Sequence, residues 1–200
     1  AKRIAQKNGE YVGSTAPYGY CVEKVNGIYK LIVEPEAAKI VRRIFEEYAS
    51  GDGIQSIIDR LFEDGVHRIS DYNQYHHVYC KDGEKLHQWG NSSIRAVLNR
   101  NNYYGDLVQR KYESRFQRGE KWCDILDESQ WIITPNAHEA IISRELFDKA
   151  QVRLKAAQQK AAKTTAGWEE DERAFYNVFY CGDCKRKMCT RRYGNDVLYF

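Results

Sequence analysis

Cys181 and Cys184 bracket a short glycine turn in the stretch FYCGDCKRKMCTRRYG. Two thiolates at CxxC spacing supply half of a tetrahedral zinc site, which takes four ligands. Cys189 falls in the β-prone stretch that follows and is poorly placed as a third. A thioredoxin-like redox pair would need a βαβ setting, which these residues lack. The reading is the opening of a zinc ribbon, with Zn as cofactor and Cys181 and Cys184 as its ligands. Residues 66–88 hold a second group of ligand types, His76, His77, Cys80 and His87. Their spacing follows no zinc pattern, and the adjacent His76 and His77 would point to opposite sides of a strand. A polar hairpin turning at Asp82-Gly83 is expected there instead. A metal-dependent nuclease built on this insert would lack the carboxylates such a site wants.

A third group carries another kind of chemistry. The stretch from Trp89 to Gly105 reads WGNSSIRAVLNRNNYYG, with Asn91 or Ser92 as the expected N-cap of a helix over 91–100. Ile94, Val97 and Leu98 form its apolar face, so Ser92, Arg95, Ala96 and Asn99 point the other way, flanked by Ser93 and Arg100. That outer face suits a DNA groove: Arg takes guanine, Asn takes adenine, Ser takes phosphate, and Ala lets the backbone come close. An ordinary solvated helix face has the same composition.

The elements that must hold these groups are legible from periodicity. Two hundred residues, 42% of them hydrophobic, build one core and a small second module. Residues 1–17 read as a helix tail passing into a flexible arm. Tyr18 to Val33 reads as a β-hairpin turning at Asn26-Gly27. Pro35 opens a helix buried through Ala38, Val41, Ile44, Phe45 and Tyr48, and Gly51 ends it. A second helix buries Ile54, Ile57, Ile58 and Leu61 and stops at Gly65. With the 91–100 helix these make a three-helix set of helix-turn-helix type, interrupted by the long insert. Tyr103–Tyr112 reads as a strand with Trp131–Thr134 as partner, and the loop between is a basic wing. Ser143 caps a last helix that buries Leu146, Phe147, Ala150 and Leu154. The fold class is α+β, helix-rich with small hairpins, followed by a long helix and a truncated zinc-ribbon start.

The net charge is only +3, yet the bases run in stripes. Lys2, Arg3 and Lys7 lie on the arm, and Arg110, Lys111, Arg115 and Arg118 on the wing. Lys185, Arg186, Arg191 and Arg192 lie in the last basic stretch. Local stripes on a near-neutral chain fit contact with phosphate along a path, so double-stranded DNA is the expected partner. No apolar run is long enough to span a membrane, no signal peptide is present, and the scattered cysteines fit reduced thiols. The expectation is a cytoplasmic protein without membrane association. The single internal Met188 and the unfinished last unit are expected of a fragment.

Five pieces in fixed order resemble the recombinase domain of large serine recombinases. They are PYGY at 17–20, PEAAKIVRRIFEEYASG at 35–51, the W…LNRxxYxG pattern at 89–105, HEAIISRELFDKAQ at 138–151 and FYCGDC at 179–184. The resemblance implies a site-specific DNA recombinase of phage integrase or transposon type. It implies a linker or arm over 1–17, a recombinase domain over 18–142, a connecting helix over 143–165 and the start of a zinc ribbon over 166–200. The family's nucleophilic serine belongs to a domain N-terminal to the matched region. Ser14, Ser92 and Ser93 do not correspond to it, and the fragment alone is expected to be inactive. The second zinc pair and the elements for self-association would lie beyond Phe200 or in the absent domains. A stand-alone winged-helix regulator with a zinc module is the alternative from another class.

Overall fold

Asn26 and Gly27 both take positive φ, 52° and 84°, the twist that closes a two-residue hairpin. They join β1 (Tyr20–Val25) to β2 (Ile28–Val33), paired antiparallel from Val25↔Ile28 to Tyr20↔Val33. The computed structural model describes residues 2–13, 15–114, 123–166, 180, 182, 190–193 and 196–199. It is a mixed α+β structure, with six α-helices and small antiparallel hairpins among the described residues. Two compact units are present, Ala1–Arg153 and Leu154–Phe200.

Pro35 occupies the first turn of α2 (Pro35–Ser50), where a missing N–H costs no hydrogen bond. Ala37, Ala38, Ile40, Val41, Ile44, Phe45 and Tyr48 line its buried face, and Gly51 closes it at φ 123°. In α3 (Ile54–Glu63) Ile57, Ile58 and Leu61 are buried, whereas Ile54 stays partly exposed at the first turn. The third helix, α5 (Asn91–Leu98), buries Ile94, Val97 and Leu98 against α2 and α3. Trp89, Leu98, Ile58 and Phe45 are all at most 3% exposed. Each large apolar side chain so buried contributes about 1.5–3 kcal/mol relative to exposure.

Several motif residues converge behind these helices. Tyr103 Oη donates to the carbonyl of Tyr18 at 2.9 Å, and Tyr20 Oη donates to the carbonyl of Glu139 at 2.8 Å. The Tyr103 carbonyl in turn accepts the N–H groups of Ile141 and Ile142. Gly19, at φ 93°, leaves no room for a side chain, since a Cβ there would stand 2.9 Å from Ile141 Cδ1 and 3.0 Å from Val41. Pieces far apart in the chain are thus joined in one hydrogen-bonded knot, and loss of any one leaves buried polar groups of the others unpaired.

After a 3₁₀ turn at Asn101–Tyr104 comes β3 (Leu107–Gln109), paired with β6 (Ile132–Thr134) in keeping with the expected Trp131–Thr134 partner. A second hairpin, β4 (Tyr112–Ser114) with β5 (Cys123–Ile125), occupies the place of the wing. Its tip, with Arg115 and Arg118, lies outside the described residues. The last helix, α6 (Arg144–Ala166), begins with Ser143 Oγ accepting the N–H of Leu146 at 3.2 Å. Phe147, Ala150 and Leu154 are buried, with Leu146 half-buried. In the second unit β7 (Thr190–Tyr193) pairs with β8 (Asp196–Tyr199). Cys181, Cys184, Cys189, Lys185 and Arg186 lie outside the described residues, as do the side chains of Arg191 and Arg192 on β7.

Two expectations are corrected. The N-terminal arm does not run free: α1 (Lys2–Lys7) buries Gln6, and the N–H of Tyr11 donates to the carbonyl of Tyr29 at 2.8 Å. The insert is no simple hairpin either. It contains α4 (Ile69–Tyr75), which ends at His76 in the left-handed conformation, and a single antiparallel bridge, Val66↔Tyr79. Val66, His67 and Val78 are buried, so the insert belongs to the core. The turn at Asp82-Gly83 is present, with Gly83 at φ 84°.

Candidate nucleic-acid interface

Helix α5 has Gly90 as its N-cap, without a side-chain cap. The expected cap Asn91 instead donates its amide weakly to Gln55 Oε1 at 3.4 Å. Ser92, Arg95 and Ala96 are exposed on the outer side, and Ser93 is half-buried. The helix ends earlier than its pattern suggests: Leu98 is the last helical residue and Asn99 is the C-cap. Asn99 Nδ2 donates to the carbonyl of Arg95 at 2.8 Å, so its amide serves the helix end and only its oxygen remains free of that bond. Arg95 is therefore the one long polar side chain projecting from the helical part of this face.

Beside the end of α5 lies a concave groove of about 670 Å³ between the arm, the 3₁₀ turn and β3–β4. Arg3, Asn99, Arg100, Asn102, Arg110 and Lys111 line it. Arg3 and Arg110 share Glu113, at 3.4 and 3.1 Å. Arg100 and Lys111 have no ion-pair partner among the described residues. Burial, and then the charge of Arg100, hold the Lys111 ammonium below the usual lysine range. Its Nζ sits 4.7 Å above the Trp131 ring, and the charge of Glu128 acts in its favour more weakly than Arg100 acts against it. The exposed Arg100 beside the half-buried Lys111 makes a place where an anion is favoured.

The positions expected to touch DNA fall into three sets. Arg95, Asn99, Arg100, Arg110, Lys111 and Arg3 flank or line this surface, with Ser92 one turn further along α5. Lys7 is exposed at the end of α1 and does not line the groove, and the Lys2 side chain is outside the described residues. Arg115, Arg118, Lys185 and Arg186 are also outside them. The groove adds residues that the sequence does not single out, among them Asn102, Tyr11 and Gln109. The signal for Gln109 is a polar residue within an otherwise apolar three-residue strand; it is 8% exposed and turned inward.

The four ligand types weighed in the insert, His76, His77, Cys80 and His87, do not come together as a set. His87 Nδ1 bonds Asp71 Oδ2 at 2.9 Å, and the Cys80 thiol donates to the carbonyls of Lys81 and Glu84. His76 caps α4 and is exposed. Another trio, His67, His77 and Glu84, does meet.

Comparison with known proteins places this mixed α+β chain in a family. A family model described as Recombinase matches residues 35–157, well over half of the chain. The chain belongs to this family, that of the large serine recombinases. A solved structure described as the crystal structure of an LSR–DNA complex is similar at 16% identity and a TM-score of 0.50, covering the whole chain. Another, from work on the sequence requirements of the Listeria innocua prophage attP site, is similar at 16% identity and a TM-score of 0.49, again over the whole chain. The chain spans 50% of the former's length and 68% of the latter's. Among the described residues no helix is long and apolar enough to cross a membrane.

Proposed function

We propose that this chain is the DNA-binding part of a serine site-specific recombinase, which seats a separate catalytic serine domain on its recombination site. Helices α2, α3 and α5 act as a helix-turn-helix-like unit. In it, α5 enters the major groove of double-stranded DNA and Arg95 reaches base edges. The arm, the groove and the β4–β5 hairpin follow the phosphate backbone, which supplies affinity without sequence preference. Cys181 and Cys184 contribute to a zinc ribbon that contacts DNA further out, with Lys185, Arg186, Arg191 and Arg192 beside it. Strand exchange, through a covalent phosphoserine link, is the work of the catalytic domain, and self-association is supplied outside these residues.

The observation that carries this reading is the pair Arg100 and Lys111, neither ion-paired among the described residues, in the groove next to the end of α5. A phosphate set there removes their mutual repulsion, a gain that a purely structural basic pair would not offer. The test is titration of labelled duplex with the purified chain at several salt concentrations. The Arg100→Ala/Lys111→Ala variant is expected to weaken binding of every duplex. Its salt slope should fall by about two units, one for each phosphate that is no longer neutralised. Unchanged affinity in a folded variant would remove the groove from the interface.

A further inference from the structure

We infer that His67, His77 and Glu84 form a binding site for a divalent transition-metal ion of the zinc type, fastening both ends of α4 to the turn that follows it. His67 Nε2 and His77 Nε2 stand 3.0 and 2.9 Å from Glu84 Oε2, and one donor atom from each residue lies within 4.8 Å of the others. A tetrahedral ion with bonds of about 2.0–2.1 Å sets its donors about 3.3 Å apart. The two His–Glu84 separations need therefore widen by only a few tenths of an ångström, roughly, to admit the ion. Two neutral imidazoles and a carboxylate are a set that suits zinc, with the fourth position left to water.

The backbone holds the donors where they are. His67 N–H donates to the carbonyl of Val78, and Cys80 N–H to that of Gly65, both at 2.8 Å. These bonds and the Val66↔Tyr79 bridge lock the segment before α4 against the segment after it. His76, left-handed at φ 59°, turns the chain so that His77 comes back beside His67. The His67 ring is fully buried and stacked on Tyr75 at 5.1 Å, and its Nδ1 has no hydrogen-bond partner. Nε2 is thus the one polar atom of this ring with partners, and it is turned into the cluster, where it can act as a donor to an ion.

Charge and access agree with this assignment. Glu84 Oε2 also accepts the Lys81 N–H at 2.9 Å, which fixes the carboxylate in the cluster. The side chains of His77 and Glu84 are 24% and 18% exposed, which leaves an entry path that the buried His67 alone would not provide. Cys80 is not a ligand. Its thiol is committed to the carbonyls of Lys81 and Glu84, and it is not among the donors that meet.

The experiment uses the full chain with Cys181→Ser and Cys184→Ser, so that the ribbon cysteines contribute nothing. Titration of the metal-free protein with Co²⁺, then displacement by Zn²⁺, should show one equivalent bound. The visible Co²⁺ bands should appear without a thiolate charge-transfer band. His77→Ala and Glu84→Gln should each weaken binding by at least about tenfold, the loss typical of even an outer-shell partner. His76→Ala, one residue away but outside the cluster, should leave it unchanged. Zn²⁺ should also raise the melting temperature of the cysteine-replaced chain, a readout independent of whether either variant folds. Absence of stoichiometric binding, absence of that melting shift, or binding indifferent to both variants while they remain folded by circular dichroism, overturns the proposal.

Discussion

The side-chain amide of Gln109 donates to the carbonyl of Glu10 at 2.9 Å, tying strand β3 to the N-terminal arm. Its oxygen accepts the N–H of Val12 at 3.3 Å, so one buried side chain satisfies two backbone groups of a segment that has no regular structure there. Gln109→Leu keeps the bulk but leaves both groups without a partner. It should destabilise the first unit by about 1–3 kcal/mol. In native-state hydrogen exchange the amides of residues 10–12 should lose protection while those of α2 do not. Equal protection in the variant would show that Tyr11 and Tyr29 alone hold the arm.

Leu98 is fully buried on α5, and its carbonyl accepts Gln151 Nε2 at 2.6 Å, which links α5 to α6. Leu98→Ala removes a large side chain from the meeting point of three helices and should cost about 2–5 kcal/mol in denaturant unfolding. A loss below about half a kcal/mol, the range of surface substitutions, would mean that α5 is not docked through this residue.

Asp71 lies inside the insert with almost no exposure, bonded to His87 Nδ1 at 2.9 Å and Arg68 Nε at 3.1 Å. Burial alone would push its carboxyl up, but the two bonds outweigh burial and hold it below the ordinary value of 3.8. A carboxyl whose folded value is lowered adds stability above its unfolded value, and that stability is lost as pH falls through the folded value. Unfolding measured from pH 6 down to pH 2 should therefore show a loss of stability that begins near pH 3.8. Asp71→Asn should be less stable at neutral pH and should show a shallower loss. Parallel curves for the two proteins would rule out Asp71 as a source of acid sensitivity.

The helices and the first hairpin are readable in the sequence because their signals are local. Pro35, Gly51 and the spacing of Val41, Ile44, Phe45 and Tyr48 each act within a few residues. Asn26-Gly27 and the register it sets do the same. The insert misleads because α4 has the polar sequence ISDYNQY, with no apolar stripe to announce a helix. Its place is set by the burial of Val66, His67 and Val78 on either side, which is a tertiary fact. The same reason hides the His67–His77–Glu84 trio, since its members come from both ends of α4 and from a turn. The outer face of α5, proposed to read bases, is legible in outline through Ile94, Val97 and Leu98 on the opposite side. Its last residue is not, because Asn99 closes the helix by bonding the Arg95 carbonyl, a local competitor that periodicity ignores.

The last prediction separates base reading from backbone contact. Arg95 is exposed in the last turn of α5 and has no ion-pair partner among the described residues, so its guanidinium is free to take a guanine edge. Arg100 lies past the helix, inside the groove next to Lys111, where it suits a phosphate. A preferred half-site selected from a random duplex library and an unrelated duplex supply the two targets. Arg95→Ala should lower discrimination between them by about 1–3 kcal/mol. Arg100→Ala should weaken both alike and lower the salt slope by about one unit. Because Asn99 is held at the helix end, Asn99→Ala should lose helix stability as well as affinity, and it is a poor probe of base contact. Equal weakening of both duplexes by Arg95→Ala would place α5 against the backbone only. Sequence reading would then fall to the arm or to the proposed zinc ribbon.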